Sequence, residues 1–320
     1  MIEKINICFA SDDNYAPYMG MALFSVLKNA GEEETFHFYV LDNKISEKNK
    51  QKIEKLKELY SFEITYLTLD EKIFKNCDLK RSNWTLSIFG RYLIPELISE
   101  DKVLYLDCDV FVRSSLLPLW KEDISEYYIG GVPDYNVILR GKLTKRFGKD
   151  FKPEEYVNSG VLLINNKKWR EEHLFNTLLD YSVKNASLLQ WPDQDAINVI
   201  CQNRKKLLPE RYNVMGFLYK PDLFLSHPRF NEIVEEPKHT VIRHFHPWEK
   251  NSFSPNREEY LSLMKVSPWA DLMPKDDPYV LAWIKMIARY LWRHPFCFLL
   301  PKFYRYWKYR GTKCLFFDYR

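Results

Sequence analysis

The chain has 320 residues, of which 46% are apolar and 28% are charged, a composition that argues against a disordered or low-complexity protein. Its net charge of +4 is divided unevenly, because Tyr279 to Arg320 carry nine Lys/Arg and one acid, which leaves −4 on the preceding residues. This asymmetry disfavours a uniformly basic nucleic-acid-binding protein.

The sequence also lacks several targeting and cross-linking signals. No stretch reaches the roughly 18 to 20 continuous apolar residues of a membrane-spanning helix, and the N-terminus does not resemble a signal peptide. We therefore expect a cytoplasmic protein. No Cys-x-x-Cys pair occurs, so we expect neither a zinc site nor a disulfide scaffold, and the cysteines are interpreted as small hydrophobic residues: Cys8, Cys77, Cys108, Cys201, Cys297 and Cys314.

Short apolar runs alternate with helix-period segments along the chain. The helical segments are 17–29, one capped by Ser46, 88–97 and 171–184, and the predicted strands are Ile5–Ala10, Thr35–Leu41, Phe62–Leu67, Val103–Leu106, Ile129–Val132, Gly160–Ile164 and Val241–Phe245. This alternation predicts an α/β domain with a largely parallel sheet, whose ligands bind at the carboxyl ends of strands. Prolines after Lys250 indicate a boundary near 255, with a core domain at 1–255 and an extension at 256–320.

Two carboxylates, Asp107 and Asp109, end the apolar run that begins at Val103. Carboxylates this close repel each other unless a cation neutralises them, and their hard oxygen atoms suit Mg²⁺ or Mn²⁺. A solvated turn is the alternative interpretation, because Asp is common in turns.

The first strand is followed by a second polar group, in which Asp12, Asn14 and Tyr15 place an acid, an amide and an aromatic ring at a strand end. Such a set could hold a uracil and a ribose. The sequence has no Gly-x-Gly-x-x-Gly, which disfavours an NAD enzyme. A metal on Asp107 and Asp109 would instead neutralise a diphosphate.

Four segments in register carry a resemblance to a known family: Phe9 to Tyr15, Val103 to Val110, Asn158 to Asn165, and Asp193 to Asp195. Together they resemble the family 8 glycosyltransferases, in particular the bacterial lipopolysaccharide and lipooligosaccharide galactosyl- and glucosyltransferases, over roughly residues 5–250. The resemblance implies a glycosyltransferase-A-type nucleotide-sugar-binding domain with a mostly parallel central sheet, and UDP-galactose or UDP-glucose as donor. It also implies Mn²⁺ dependence and retention of the anomeric configuration.

Matching positions then imply roles for individual residues. The uridine-contacting segment corresponds to Ala10, Asp12, Asn14 and Tyr15. The metal ligands correspond to Asp107 and Asp109, with the late-strand residue His244 as the third ligand, although a buried core histidine is the alternative interpretation of His244.

The donor phosphate and sugar have implied contacts as well. Arg91 corresponds to a donor-contacting arginine, or else is a helix-surface charge, and Lys250 corresponds to a phosphate-binding lysine, or else is a surface lysine. Pro247 stands where the family has glycine, and it has no N–H to offer a phosphate oxygen.

The sugar ring itself is expected to meet four further residues. Asp134 and Asn158 correspond to ligands of the sugar hydroxyls, although Asp134 equally suits a turn. Asp193 and Gln194 correspond to residues that face the anomeric carbon. An amide is a poor nucleophile, so we expect same-face substitution with departure of UDP aided by the metal and Lys250, instead of a covalent intermediate on Gln194.

The C-terminal stretch 279–320 alternates aromatic and basic residues, which is typical of an interfacial membrane anchor. It predicts a helical basic and aromatic extension that binds an anionic membrane surface at the inner face of the cell membrane. A helical lid on the core and a nucleic-acid-binding tail are the alternatives, and we expect no nucleic-acid partner because the tail is so aromatic.

Two other functions compete with that of a metal-dependent hexosyltransferase that acts on a saccharide or lipid-linked saccharide. A haloacid-dehalogenase-type phosphatase also uses Asp-x-Asp, but its signature continues with Thr or Val where this chain has Phe111. A catalytically degenerate, membrane-associated UDP-sugar-binding module remains open, and Pro247 is the feature that favours it.

Overall fold

The computed structural model describes residues 2–79, 84–219, 224, 227–244 and 257–273. Within these residues, nine strands form a seven-stranded sheet and a separate two-stranded sheet. The strands are β1 (Glu3–Asp12), β2 (Glu34–Asn43), β3 (Glu63–Thr68), β4 (Lys102–Leu106), β5 (Val110–Val112), β6 (Ile129–Pro133), β7 (Val157–Asn165), β8 (Lys205–Leu207) and β9 (Ile242–His244). The α-helices are α1 (Ala16–Lys28), α2 (Glu47–Glu54), α3 (Ile94–Leu97), α4 (Leu117–Trp120), α5 (Tyr135–Ile138), α6 (Leu143–Phe147), α7 (Asn166–Glu171), α8 (Leu174–Lys184), α9 (Pro192–Ile200), α10 (Phe230–Glu235) and α11 (Arg257–Lys265).

The strand order in the large sheet is β3-β2-β1-β4-β7-β6-β8. Strands β1 to β4 are parallel to one another, whereas β7 is antiparallel to both of its neighbours, β4 and β6, and β8 is again parallel to β6. This arrangement confirms the predicted α/β fold with a mostly parallel sheet. Because β7 runs the other way, its amino-terminal end lies beside the carboxyl end of β4.

Helices cover both faces of the sheet, which explains why the strands are apolar on both sides. On β1, Ile5, Ile7 and Phe9 pack with α1 in one hydrophobic core, whereas Cys8 packs with α8 and α9 in the other. The four described cysteines are free and buried, as the sequence predicts, and Cys297 and Cys314 lie outside the described residues.

Two helical segments differ from the sequence prediction. The segment predicted as one helix over 88–97 is a 3₁₀ helix, Leu86–Leu93, followed by the short α3. Here Gly90 packs closely on β1, because a Cβ atom at this position would lie 3.1 Å from the Cβ of Ala10. The helix predicted over 171–184 is interrupted at His173, whose φ of 52° ends α7 before α8 begins.

Residues 257–273 pack against the main domain. Tyr260, Leu263, Met264 and Trp269 are buried in the same core as α1. The predicted boundary near 255 and the predicted extension beyond residue 273 lie outside the described residues, so both stay predictions. Among the described helices, none combines the length and the apolar character that crossing a lipid bilayer requires.

Candidate active site

Three predicted metal ligands converge beyond the carboxyl end of β4. Asp107 and Asp109 lie between β4 and β5, and antiparallel pairing of β5 with β9 sets Val110 opposite His244. Nε2 of His244 lies 3.2 Å from Oδ1 of Asp109 and 4.0 Å from Oδ2 of Asp107. One ligand atom from each side chain falls within 4.8 Å of the other two. Two carboxylate oxygens and one imidazole nitrogen are a donor set that suits Mn²⁺.

The imidazole of His244 is held in one orientation by Asn213. Burial lowers the pKa of His244, but the charges of Asp109 and Asp107 outweigh this effect and raise the pKa to about 8. Nδ1 lies 3.0 Å from Oδ1 of Asn213, whose Nδ2 donates at 2.9 Å to Oδ1 of Asn158. This second bond turns the amide oxygen of Asn213 towards His244, so Nδ1 donates and Nε2 faces the carboxylates. The sequence analysis missed Asn213, which lies in an irregular segment with no motif to mark it.

Gly160 allows β7 to approach two of the three candidate metal ligands. The N–H of Asp107 donates to the carbonyl oxygen of Gly160 at 2.8 Å. A Cβ atom at Gly160 would lie 2.4 Å from Cε1 of His244 and 2.6 Å from Oδ2 of Asp107. A side chain at this position would therefore collide with two of the three candidate metal ligands.

Arg91 is a buried residue that joins two carboxylates, so the alternative of a helix-surface charge is wrong. Its Nη2 donates to Oδ1 of Asp107 at 3.0 Å, and its Nε lies 3.2 Å from Oδ2 of Asp193. The hydroxyl of Tyr105 also donates to Oδ1 of Asp107 at 3.0 Å. Both hydrogen bonds go to Oδ1 of Asp107. The other carboxylate oxygen, Oδ2, faces His244 and can bind a cation.

The buried residues Asp134 and Gln194 form a hydrogen-bonded cluster with the half-buried Asn158 beside the metal ligands. Nε2 of Gln194 donates to Oδ2 of Asp134 at 3.0 Å, and Nδ2 of Asn158 donates to Oε1 of Gln194 at 3.1 Å. Burial raises the pKa of Asp134, and the hydrogen bonds from Asn158 and Gln194 oppose this rise. Asp134 also caps α5 by accepting from the N–H of Val137 at 3.3 Å, so its turn role and its place in the cluster coexist.

The first turn of α9 presents Asp193 and Gln194 to this cluster. Burial raises the pKa of Asp193, whereas the charge of Arg91 lowers it. Asp195 is buried with its carboxylate bound by the hydroxyl of Tyr156 at 2.6 Å and by the N–H of Gln190 at 2.6 Å. The hydroxyl of Tyr156 accepts in turn from Nε2 of Gln194 at 3.1 Å. Asp195 thus anchors the start of α9 and limits the rotation of the Gln194 side chain.

A cleft opens from the metal ligands towards the end of β1. Of the predicted uridine contacts, Ala10, Asp12 and Tyr15 line it, whereas Asn14 is exposed and is not among its lining residues. Burial, followed by the charge of Asp109, raises the pKa of Tyr15 to about 12. The cleft is also lined by residues that the sequence analysis did not select as site residues: Trp84, Thr85, Ser87 and Ile88. Lys250 and Pro247 lie outside the described residues.

A family comparison decides the family of this chain. The family model described as "Glycosyl transferase family 8" matches residues 6–251, which include every predicted site residue. The chain belongs to glycosyl transferase family 8. This family 8 chain is therefore a glycosyltransferase.

Individual relatives agree with this assignment. The chain is 32% identical to a putative glycosyltransferase of Haemophilus influenzae over 66% of this chain and 63% of that protein. It is 24% identical to the lipopolysaccharide 1,2-glucosyltransferase of Escherichia coli K12, over 95% of this chain and 92% of that protein. Among solved structures, the galactosyltransferase LgtC in complex with donor and acceptor sugar analogs superposes with a TM-score of 0.73 at 28% identity, over 82% of this chain and 96% of LgtC.

Proposed function

We propose that this family 8 glycosyltransferase moves galactose or glucose from a UDP-sugar to a saccharide acceptor with retention of the anomeric configuration. The observation that supports it best is the convergence of Asp107, Asp109 and His244 beside a cleft that Asp107 and Asp109 line. The acceptor class is proposed from the relatives, which include a lipopolysaccharide glucosyltransferase and an enzyme crystallised with donor and acceptor sugar analogs. We accordingly propose a role in lipopolysaccharide or other cell-surface saccharide synthesis.

The donor set fits Mn²⁺, with Mg²⁺ as the alternative cation. Oδ2 of Asp107, Oδ1 of Asp109 and Nε2 of His244 would hold it. When bound, such a cation neutralises the donor diphosphate and stabilises the charge that develops on departing UDP. Asp12 and Tyr15 face the cleft where the uridine is proposed to bind, and we propose Lys250 as a further phosphate contact.

Retention is proposed to occur by same-face substitution. A double displacement needs a carboxylate nucleophile, but Gln194 is an amide, Oδ2 of Asp134 already accepts two hydrogen bonds, and Asp193 is paired with Arg91. In the proposed step the acceptor oxygen bonds to the anomeric carbon on the side from which UDP leaves. The electron pair of the broken bond goes to the diphosphate, and the acceptor proton goes to a phosphate oxygen.

Gln194 is proposed to stabilise the positive charge of the sugar ring while it remains uncharged itself. Asn158, Tyr156 and Asp134 fix its amide through hydrogen bonds of 3.0 to 3.1 Å, so no reorganisation is needed as the charge develops. Mass spectrometry of the enzyme during turnover should detect no glycosyl adduct. A glycosyl adduct trapped in the wild type or in a Gln194 variant would overturn this mechanism.

Release of UDP from a panel of UDP-sugars tests the function. We expect UDP release that requires Mn²⁺ and increases with a saccharide acceptor. The Asp109→Asn variant should lose about 100-fold or more of this activity, in line with the loss of a group that stabilises developing charge. Asp180→Asn is the matched control, because Asp180 is 70% exposed and pairs with Lys184 on the surface of α8. Donor binding without any UDP release across the panel would favour the second candidate, a degenerate binding module.

Membrane association is proposed from the sequence of residues 279–320, which combine nine Lys/Arg with 14 aromatic residues. We propose that these residues hold the enzyme on the inner face of the cell membrane. Replacing the basic residues Lys302, Arg305, Lys308 and Arg310 with glutamine in the full chain should release it from vesicles that contain phosphatidylglycerol. Equal binding of the variant and the wild type would contradict this proposal.

A further inference from the structure

The small sheet that carries two of the three candidate metal ligands has little stability of its own. Strands β5 and β9 contain three residues each, and their pairing brings Asp109, just before β5, next to His244, the last residue of β9. A two-stranded ribbon is only marginally stable in isolation. The geometry of Asp109 and His244 therefore depends on what supports the ribbon from outside.

One carboxylate, that of Glu259 on α11, joins both strands of this ribbon. Its Oε1 lies 2.6 Å from Nε of Arg113, which directly follows β5. Its Oε2 lies 2.6 Å from Nη1 of Arg243, the neighbour of His244 in β9. The side chain of Arg243 is 1% exposed, and an uncompensated guanidinium at that depth would be strongly destabilising. Glu259 therefore neutralises a buried charge directly beside a candidate metal ligand.

Helix α11 is a fixed support and not a loosely attached one. Tyr260, Leu263 and Met264 bury their side chains in the main core. Trp269 lies so close to α1 that a Cβ atom at Gly20 would be 2.0 Å from the indole ring. The carboxylate of Glu259 is consequently presented from a segment that the core holds in place.

We propose that Glu259 is a positioning residue of the metal site, and that it acts through Arg113 and Arg243 to hold Asp109 and His244 at ligand distance. The proposal rests on the proposed function of Asp107, Asp109 and His244 as metal ligands. It assigns to residues 257–273, which follow the segment matched by the family, a part in forming the active site.

Manganese affinity, measured from the electron paramagnetic resonance signal of free Mn²⁺, tests the proposal without any turnover. Glu259→Gln should raise the Kd for Mn²⁺ about tenfold or more, as does loss of a group that orients metal ligands. Saturating Mn²⁺ should restore kcat, because Glu259 is not among the residues that line the cleft. The control is Glu235→Gln, which removes an exposed ion pair with Lys238 and should leave the Kd unchanged.

Two further variants distinguish an error in the proposed metal site from an error in the proposed role of Glu259. Asp109→Asn should abolish Mn²⁺ binding, and if it does not, the metal site itself is wrong. If Asp109→Asn abolishes binding while folded Glu259→Gln retains the wild-type Kd, the positioning role alone is overturned. Should Glu259→Gln fail to fold, Arg113→Gln removes only the β5 half of the bridge and leaves the pair with Arg243 intact. An unchanged Kd in that variant would also overturn the proposal, and a raised Kd would support it.

Discussion

Alanine at Gly160 should weaken metal binding without any change in the ligands themselves. The added Cβ would lie 2.4 Å from Cε1 of His244 and 2.6 Å from Oδ2 of Asp107. Carbon atoms in contact normally lie about 3.5 to 4.0 Å apart, so the His244 ring must move by about 1 Å or more. Metal sites tolerate deviations of only about 0.2 Å in ligand distance.

We expect Gly160→Ala to lower the affinity for Mn²⁺ by about 10- to 100-fold, the range measured when metal ligands lose their orientation. That range equals about 1.4 to 2.8 kcal/mol of binding free energy. Titration of the purified protein with Mn²⁺, with circular dichroism to verify folding, measures it directly. The control is Gly216→Ala, because a Cβ atom at Gly216 has no described neighbour within 4 Å. A folded Gly160→Ala protein with the Mn²⁺ affinity of the wild type would refute the reasoning.

Three further predictions concern the support of His244, its protonation and the packing of the segment after α11. Asn213→Ala removes the hydrogen-bond acceptor for Nδ1 of His244, so the Kd for Mn²⁺ should rise about 10- to 100-fold in the same titration. An unchanged Kd would show that Asn213 does not orient the imidazole ring. In the metal-free protein the pKa of His244 is raised from 6.5 to about 8, so its contribution to stability is complete below pH 6.5 and is lost as the pH rises through 8. Mn²⁺ requires the neutral imidazole, so calorimetry should show the apparent affinity falling about tenfold for each pH unit below 8, and a pH-independent affinity would contradict this assignment. Trp269→Ala should lower the free energy of unfolding in urea by about 3 to 5 kcal/mol, because it empties a fully buried site against α1. A decrease of less than about 1 kcal/mol would show that this segment does not pack as described.

The sequence was most informative where chemistry and strand pattern coincide. The apolar run ending in Asp107 and Asp109 predicts β4 and the residues that follow it, and the structure brings His244 to the same place. The family resemblance implies a donor-contacting role for Arg91, although only the structure shows that it binds the carboxylates of both Asp107 and Asp193.

Other features depend on contacts between distant segments, which a single sequence does not reveal. The reversed direction of β7 carries no local signal, because a strand buried on both faces is apolar whichever way it runs. Asn213 lies in an irregular segment, and its role depends on side chains that are 55 and 31 residues away along the chain. Glu259 resembles any other helix-surface acid until Arg113 and Arg243 are seen around it.

The central claim is that Asp107, Asp109 and His244 bind the cation that holds the donor diphosphate. Crystals soaked with Mn²⁺ and a non-transferable fluorinated UDP-sugar test it most directly, because anomalous scattering locates manganese independently of the protein density. We predict one manganese peak about 2.0 to 2.6 Å from the three ligand atoms, with the diphosphate on its open side. A donor bound in the cleft with no manganese peak, or with a peak held by other residues, would contradict the account.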